Sequence, residues 1–434
     1  MAYGGYGGYV QLGKQPDPEQ SMLVTFRIIP GEGRSLHQAA EAVAAESSIG
    51  TWTALSTMQQ RVLSKLQARV YEIDQRGGTL KVAYPLELFE PDNASQILSD
   101  IAGNIFGMKE VAALRLEDFD APKKYLETFA GPAFGREGVR KLVGTASKSK
   151  RRPHLGTIVK PKVGLTPKEG AKVAYDAWAG GLDFVKDDEN LTSHPFSRFE
   201  ERVVRYLEAR DKAEEETGSK KVYAPNVTAP ADLMLKRAEL VKRQGGECMM
   251  IDVVTAGLSS VQFMRHQNLR LFIHAHRAMY AAFARSHTHG MSMRVLAKLC
   301  RLCGTDQLHI GAILGKMEGA KEDVMQVHQD INGDGKKAGQ TRSGRPGAWK
   351  NVKPVFSVCS GGLSPLQVPG LYKIIGDEAV FQCGGGVHGH PAGTRAGAMA
   401  LVQSLEAAKE GVSLEQYAKT HIELEQALQK WSKK

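Results

Sequence analysis

The sequence predicts an α/β protein in which a C-terminal (β/α)8 TIM barrel is preceded by an α+β ferredoxin-like N-terminal domain. Three observations predict it. Eight short apolar runs, each followed by helix-like sequence, fill roughly the last 280 residues, the count and length of a closed barrel. The first 120 or so residues follow a β-α-β-β-α-β order, the ferredoxin-like pattern. Reactive side chains then recur just beyond the apolar runs, where barrel enzymes keep their chemistry. An open, doubly wound sheet is the structural alternative for the second half.

The domains are expected at 1–135 and 136–434, with 1–20 partly a flexible tail. In the first, Met22–Ile29 alternates as a strand, and Ser35 to Ala45 reads as a helix with a Ser35/Gln38 capping box. Ala68–Ile73 and Leu80–Tyr84 are strands around a Gly77-Gly78 turn. Asn93 and Gln96 cap a second helix, and Val111–Phe119 closes the set. Residues from about Tyr125 to Gly156 read as a connector punctuated by Gly131-Pro132 and Gly135. The barrel strands are expected at Gly156–Val159, Asp183–Val185, Val222–Ala224, Met249–Val254, Leu271–Ile273, Leu308–Leu314, Val355–Val358 and Ala379–Gln382. Between the first two, Thr166-Pro167-Lys168-Glu169 is a capping box with proline at the first helical position.

Composition excludes several classes. No apolar run is long enough to span a bilayer. The opening Met1-Ala2-Tyr3-Gly4-Gly5-Tyr6-Gly7-Gly8-Tyr9 lacks the basic and apolar regions of a signal peptide, and reads as a flexible tail dotted with rings. Five cysteines, an odd number confined to the C-terminal half, fit a reducing, cytoplasmic setting. Cys300 and Cys303 form a CxxC with no partner pair for a structural zinc. The net charge of +10 favours anionic partners without choosing between nucleic acid and a small phosphorylated substrate. The basic cluster Lys148, Lys150, Arg151 and Arg152 has no interleaved aromatics and reads as a solvated connector, so no nucleic-acid partner is expected. Asp330 to Gly335 opens like a calcium-binding loop, but Thr341 stands where the bidentate glutamate belongs.

The chemistry collects at strand ends. The first run leads to Lys160-Pro161-Lys162, and the second to Lys186-Asp187-Asp188-Glu189. The fifth ends in His274-Ala275-His276-Arg277, and the sixth carries His309 and then Lys316 between glycines. The seventh gives Ser360-Gly361-Gly362, and the eighth Gly384-Gly385-Gly386. Singly, each has a structural reading: a lone HxH packs, a lone GGG turns. Their recurrence at one topological position points to a site. Asp188 and Glu189 are hard oxygen ligands suited to Mg²⁺. The glycine backbones and Ser360 allow close approach to a phosphate, and Arg277 and His309 suit a second one. Lys316, in a glycine-flanked loop, suits a lid that brings a cation onto a developing anion. A bisphosphorylated substrate follows.

The stretch Gly181-Leu182-Asp183-Phe184-Val185-Lys186-Asp187-Asp188-Glu189, together with these strand ends, resembles the large chain of ribulose-1,5-bisphosphate carboxylase/oxygenase (Rubisco) from about Tyr9 to beyond residue 410. The resemblance implies carboxylation of D-ribulose 1,5-bisphosphate by CO₂ to two 3-phosphoglycerates, with competing oxygenation by O₂. Lys186 would be carbamylated by an activator CO₂, which needs a neutral amine, and the carbamate would join Asp188 and Glu189 in holding Mg²⁺. The carbamate would take the C3 proton, with Mg²⁺ as Lewis acid for the enediolate. His276 would assist proton transfers, Lys160 would finally protonate C2 with Lys162 in support, and Lys316 would stabilise the new carboxylate. Arg277, His309 and Ser360 would serve one phosphate side and Gly362, Gly384 and Gly385 the other, with Gly361 also among the substrate-binding residues. Glu46-Ser47-Ser48-Ile49-Gly50-Thr51-Trp52 and Gly103-Asn104 match motifs that complete a neighbouring subunit's site. There Glu46 would orient Lys316, Thr51 and Trp52 would touch phosphate, and Asn104 would approach the metal. A homodimer with shared active sites is therefore implied, open to higher assembly of dimers and needing no small subunit.

One departure is Tyr280, where many members have histidine. Leu116-Glu117-Asp118-Phe119, Gly156-Thr157-Ile158-Val159-Lys160 and Arg198-Phe199-Glu200-Glu201-Arg202 are similar to archaeal, form III or II/III chains. In those chains the bisphosphate often comes from nucleotide salvage (AMP metabolism). The rival readings are a Rubisco-like enolase acting on another phosphorylated ketose, such as a methionine-salvage intermediate, and a silent phosphosugar-binding protein. Lys160, Lys316, His309 and Glu46 favour carboxylation over the first, and the Lys186–Asp188–Glu189 set argues against the second.

Overall fold

A computed structural model describes residues 5–314, 321–333 and 348–432. They form two compact units. The first comprises the described residues of Met1–Gly131, Met279–Cys303 and Gly333–Val352; the second those of Pro132–Ala278, Gly304–Asn332 and Lys353–Lys434.

The first unit is built on four antiparallel strands, β1 (Ser21–Pro30), β2 (Arg69–Asp74), β3 (Thr79–Pro85) and β4 (Val111–Asp120). Their spatial order is β4-β1-β3-β2, as the β-α-β-β-α-β reading requires. The helix Leu36–Glu46 starts at the expected box: Ser35 Oγ accepts from Gln38 N, and Gln38 Oε1 accepts from Ser35 N. Asn93 caps Ala94–Ile101 by accepting from Gln96 N. The unit's first segment ends at Gly131, short of residue 135, and the unit takes in two later segments. A two-residue strand, Gly290–Met291, adds to β4 in parallel. The helix Met293–Cys303, which contains both CxxC cysteines, is tied to β4 by Lys298, whose Nζ lies 2.5 Å from Asp118 Oδ1, and by Arg294 at 3.2 Å from Oδ2.

The N-terminal tail departs from its reading as flexible. Tyr6 and Tyr9 are buried, and residues 9–11 exchange backbone hydrogen bonds with Val70 on β2. Glu41 explains the anchoring: its carboxylate accepts from the backbone N–H of Tyr9 at 2.7 Å and of Val10 at 3.2 Å.

The second unit is the expected barrel. Its strands are His154–Ile158, Phe184–Lys186, Val222–Ala224, Cys248–Asp252, Phe272–His276, Gln307–Gly311, Phe356–Ser360 and Ala379–Gln382. Neighbours are parallel, the eighth strand pairs with the first, and the bridge Asn226↔Met250 joins the third to the fourth. The Thr166/Glu169 capping box opens the helix Pro167–Ala179. Part of the presumed connector is a helix, Gly135–Val143, whose Val139 and Val143 pack with Phe184, Val222, Cys248, Phe272 and Phe356 in one buried cluster.

The basic cluster is only partly solvated. Lys148 and Lys150 are exposed, but Arg152 grips Asp183 through two hydrogen bonds of 2.6 and 2.7 Å, and Arg151 pairs with Glu137 and Glu378. A planar guanidinium matches a carboxylate in this way; a lysine does not. No described helix is long and apolar enough to cross a membrane.

Candidate active site

The second barrel strand delivers Lys186 into the barrel, and the next three residues turn at its mouth. Lys186 is 1% exposed, and its Nζ donates to Asp187 O at 2.8 Å and faces Met250 Sδ at 3.4 Å. Burial pushes the amine down from the usual lysine value, against the pull of Asp188, Glu189, Asp252 and Asp187. Asp187 is an anchor: its carboxylate accepts from Arg202, from the Tyr223 hydroxyl at 2.8 Å and from Asn226 N at 3.0 Å. Its neighbours Asp188 and Glu189 are left to the site. Lys160 Nζ lies 2.6 Å from Asp188 Oδ2, and Lys162 Nζ lies 3.3 Å from Glu189 Oε1. Burial raises the Glu189 carboxyl, but hydrogen bonding with Asp188 and the backbone, and the charges of His276 and Lys186, hold it well below the usual range.

This donor set fits a hard cation on one condition. Among the described residues no group of three His, Cys, Asp or Glu side chains could hold a metal. Asp188 and Glu189 supply two carboxylate donors, and the Lys186 amine beside them would add an oxygen donor only if CO₂ added to it.

His276, at the end of the fifth strand, lies 3.9 Å from Glu189 through Nε2 and 3.0 Å from Asp252 Oδ1 through Nδ1. Nδ1 also lies 3.2 Å from the Ala278 backbone N–H, so Asp252, which as a carboxylate only accepts, and Ala278, which only donates, compete for it; the Asp252 contact is the shorter and favours a proton on Nδ1, with Nε2 facing the site. Burial pushes the ring's pKa down, Asp252 opposing it. Behind it runs a buried chain: Gln307 Oε1 to His274 Nδ1 at 2.6 Å, His274 Nε2 to His309 Nε2 at 2.9 Å, and His309 Nδ1 to Ser360 Oγ at 2.8 Å. Burial drives His274 down to about 3, so it is neutral, and the one N···N contact then needs a proton on one ring and a lone pair on the other. The chain fixes both rings and the Ser360 side chain.

The glycine strand ends approach one another. Gly361 and Gly362 have φ of 118° and 75°, left-handed values that suit glycine. A Cβ on Gly386 would stand 2.3 Å from Leu363 O, so the loops after the seventh and eighth strands touch backbone to backbone. A Cβ on Gly384 would come within 3.2 Å of Lys160 Cε, and one on Gly311 within 2.9 Å of the Arg277 guanidinium. The Thr157 hydroxyl donates to Cys383 O at 2.7 Å and accepts from His388 Nε2 at 2.9 Å, clipping the first strand to the eighth-strand loop.

Thus Lys160, Lys162, Lys186, Asp188, Glu189, His276, Arg277, His309, Ser360 and the glycines all stand at C-terminal strand ends of the second unit. Glu46, Thr51, Trp52 and Asn104 belong to the first unit; Trp52 is 72% exposed, and Glu46 accepts from the Tyr6 hydroxyl at 2.8 Å. Lys316 lies outside the described residues. Tyr280 donates through its hydroxyl to Met291 O at 3.2 Å and has its ring edge against Phe283. Asn226 and Asp252, at the ends of the third and fourth strands, also reach the site and were not among the expected residues. The rule that found the others, polar groups just past an apolar run, would have found these.

Fold and site define the class: an α/β-barrel enzyme whose reactive groups stand at the C-terminal ends of its strands. Residues 140–431 match the catalytic domain of the ribulose bisphosphate carboxylase large chain, and residues 8–125 its N-terminal domain. A ribulose bisphosphate carboxylase of Methanocaldococcus jannaschii is 49% identical over 98% of this chain and 99% of its own. Among solved structures, the dimeric archaeal Rubisco of Hyperthermus butylicus is similar at a TM-score of 0.90 and 44% identity, covering 98% of this chain and 99% of that one. The octameric Rubisco of Pyrococcus horikoshii, solved with sulfate, also gives 0.90, at 43% identity over 98% and 97%. The chain belongs to the Rubisco large-chain family, among its archaeal members.

Proposed function

We infer that the protein carboxylates ribulose 1,5-bisphosphate to two 3-phosphoglycerates, with competing oxygenation, and that it needs CO₂ and Mg²⁺ for activation. The observation that carries this is the buried Lys186 amine beside Asp188 and Glu189, two oxygen donors short of a third. Asp188, Glu189 and carbamylated Lys186 would hold Mg²⁺, which supplies a Lewis acid when bound. Lys186, as its carbamate, takes the C3 proton. His276, its tautomer set by Asp252, moves protons during hydration and C–C cleavage. Lys160 protonates C2 of the released acid, supported by Lys162, and Lys316 stabilises the carboxylate formed at C2. Arg277, His309 and Ser360 hold one phosphate side and Gly362, Gly384 and Gly385 the other, with Gly361 also among the substrate-binding residues.

Glu46, Thr51, Trp52 and Asn104 complete the site of a second subunit, which makes a homodimer the smallest working form. The exposure of Trp52 supports this, since a bare indole favours a partner. No small subunit is required, and the setting is cytoplasmic. The test is ¹⁴CO₂ fixation into 3-phosphoglycerate after preincubation with bicarbonate and Mg²⁺, beside Lys186→Ala. Fixation that needs preincubation and disappears in the variant is expected. Enolisation without fixation would overturn the reading in favour of an enolase.

A further inference from the structure

The glycine–tyrosine tail is not accounted for by the barrel chemistry, yet it touches three residues assigned to the neighbour's site. Gly5 N donates to Trp52 O at 3.3 Å. A Cβ on Gly5 would lie 2.3 Å from Thr51 O and 2.4 Å from Thr53 O, so only glycine lets the two backbones run this close. One residue on, the Tyr6 hydroxyl donates to Glu46 Oε1 at 2.8 Å from a ring only 6% exposed. Tyr9, 2% exposed, brings its hydroxyl oxygen within 2.6 Å of where a Cβ on Gly50 would be. The tail therefore crosses the Glu46–Trp52 segment and is held beyond it by Glu41 and by β2.

Glu46 needs such a partner. It is the last residue of its helix, where the negative end of the helix dipole disfavours a carboxylate, and no basic residue stands in that last turn. The Tyr6 hydroxyl supplies this partner, donating to the carboxylate. The hydroxyl itself stays protonated, because burial and the nearby Glu46 charge raise its pKa. It is thus a fixed donor throughout the working pH range. A charge-assisted bond of this kind is stronger and shorter than a neutral one and fixes an otherwise mobile three-carbon side chain.

We propose that residues 5–10 form a strap in which Tyr6 is a positioning residue, aiming the Glu46 carboxylate, while Gly5 holds the Thr51–Trp52 backbone for the neighbouring subunit's substrate. This rests on the proposed function, together with the role the family resemblance implies for Glu46 of orienting Lys316. Because Lys316 acts after CO₂ adds, losing the Tyr6–Glu46 bond should spare enolisation and weaken carboxylation.

The experiment compares Tyr6→Phe, Gly5→Ala, Glu46→Gln and the Tyr6→Phe/Glu46→Gln pair in the full-length protein. Exchange of the C3 proton with solvent and ¹⁴CO₂ fixation are both measured. Expected is a tenfold or greater loss of fixation in Tyr6→Phe, with proton exchange within twofold of the parent. Gly5→Ala removes no functional group but displaces the Thr51–Trp52 backbone, so it should raise KM for the bisphosphate in both reactions, and the double variant should be no worse than Glu46→Gln alone. Additive losses, or in Tyr6→Phe either equal loss of both reactions or parental fixation, would overturn the strap alone. Absence of fixation in the parent would remove the function and the strap with it.

Discussion

The contact between the two glycine loops gives a quantitative test of the phosphate cradle. In Gly386→Ala the new methyl would stand 2.3 Å from Leu363 O and 2.6 Å from Ser364 Cα, both backbone atoms that cannot rotate away. A carbon and a carbonyl oxygen need roughly 3.3 Å, so one loop must retreat by about 1 Å. Leu363 follows Gly362 directly, and the displacement is passed to the backbone proposed to hold phosphate. A misplacement of about 1 Å is worth on the order of 100-fold in rate, and the overpacking itself about 1–3 kcal/mol of stability. Gly385→Ala is the contrast, because among the described residues nothing beyond its own chain neighbours and helix backbone lies within 4 Å of its Cβ position. That methyl leaves the fold alone and crowds only an incoming phosphate. Steady-state fixation and thermal unfolding of both variants form the assay. Gly386→Ala should lose about two orders of magnitude in kcat/KM and unfold earlier, whereas Gly385→Ala should raise KM at an unchanged unfolding temperature. Parental kinetics in Gly386→Ala, or a destabilised Gly385→Ala, would refute the reasoning.

Three further outcomes are expected. Asp252→Asn frees the tautomer of His276 and should cut fixation by roughly 10²–10⁴-fold with little change in KM for the bisphosphate; unchanged turnover would remove Asp252 from the mechanism. The buried Lys186 amine, its pKa lowered, should lose its proton sooner as pH rises than an ordinary lysine with its value of 10.5. At fixed dissolved CO₂, the activation rate should therefore climb and level off below that value; a rise tracking 10.5 would contradict the burial argument. Burial raises the Asp183 carboxyl, but the Arg152 pair outweighs it and holds the pKa at about 2, below the ordinary 3.8. That depressed value contributes about 2 kcal/mol above pH 4, lost as pH falls through 3.8 towards 2. Asp183→Asn should accordingly cost most in denaturant at neutral pH and progressively less in acid, and a pH-independent cost would count against it.

Most of the fold was legible because burial writes itself into local sequence. Barrel strands covered on both faces appear as short apolar runs, and helices announce themselves through Ser35, Asn93 and Thr166. The active side chains were legible because they stand where those runs stop. What escaped reading depends on distant partners. Tyr6 and Tyr9 sit in a glycine-rich stretch without periodicity, and only Glu46 and Glu41, more than thirty positions away, give them a place. Gly135–Val143 mixes charged residues with two inward valines, too few to mark a helix. Gly290–Met291 is a strand only because β4 offers it an edge. Arg151 and Arg152 looked like loose charge until Glu137, Glu378 and Asp183 were brought to them.

The ion pairs on Asp118 carry a consequence for how the chain is made. Asp118 is fully buried, yet its cations, Arg294 and Lys298, are encoded after five barrel strands have been translated. At about 5–20 residues per second, the ribosome needs on the order of 10–30 s to get from the end of the first segment to Lys298. Throughout that time the nascent N-terminal sheet holds a carboxylate with no counter-charge, a state costly enough to keep it from closing. The unit that begins first is therefore completed late. A gene cut at residue 131 should yield a fragment that misfolds, and circular permutants that translate residues 279–352 first should mature faster than the natural order.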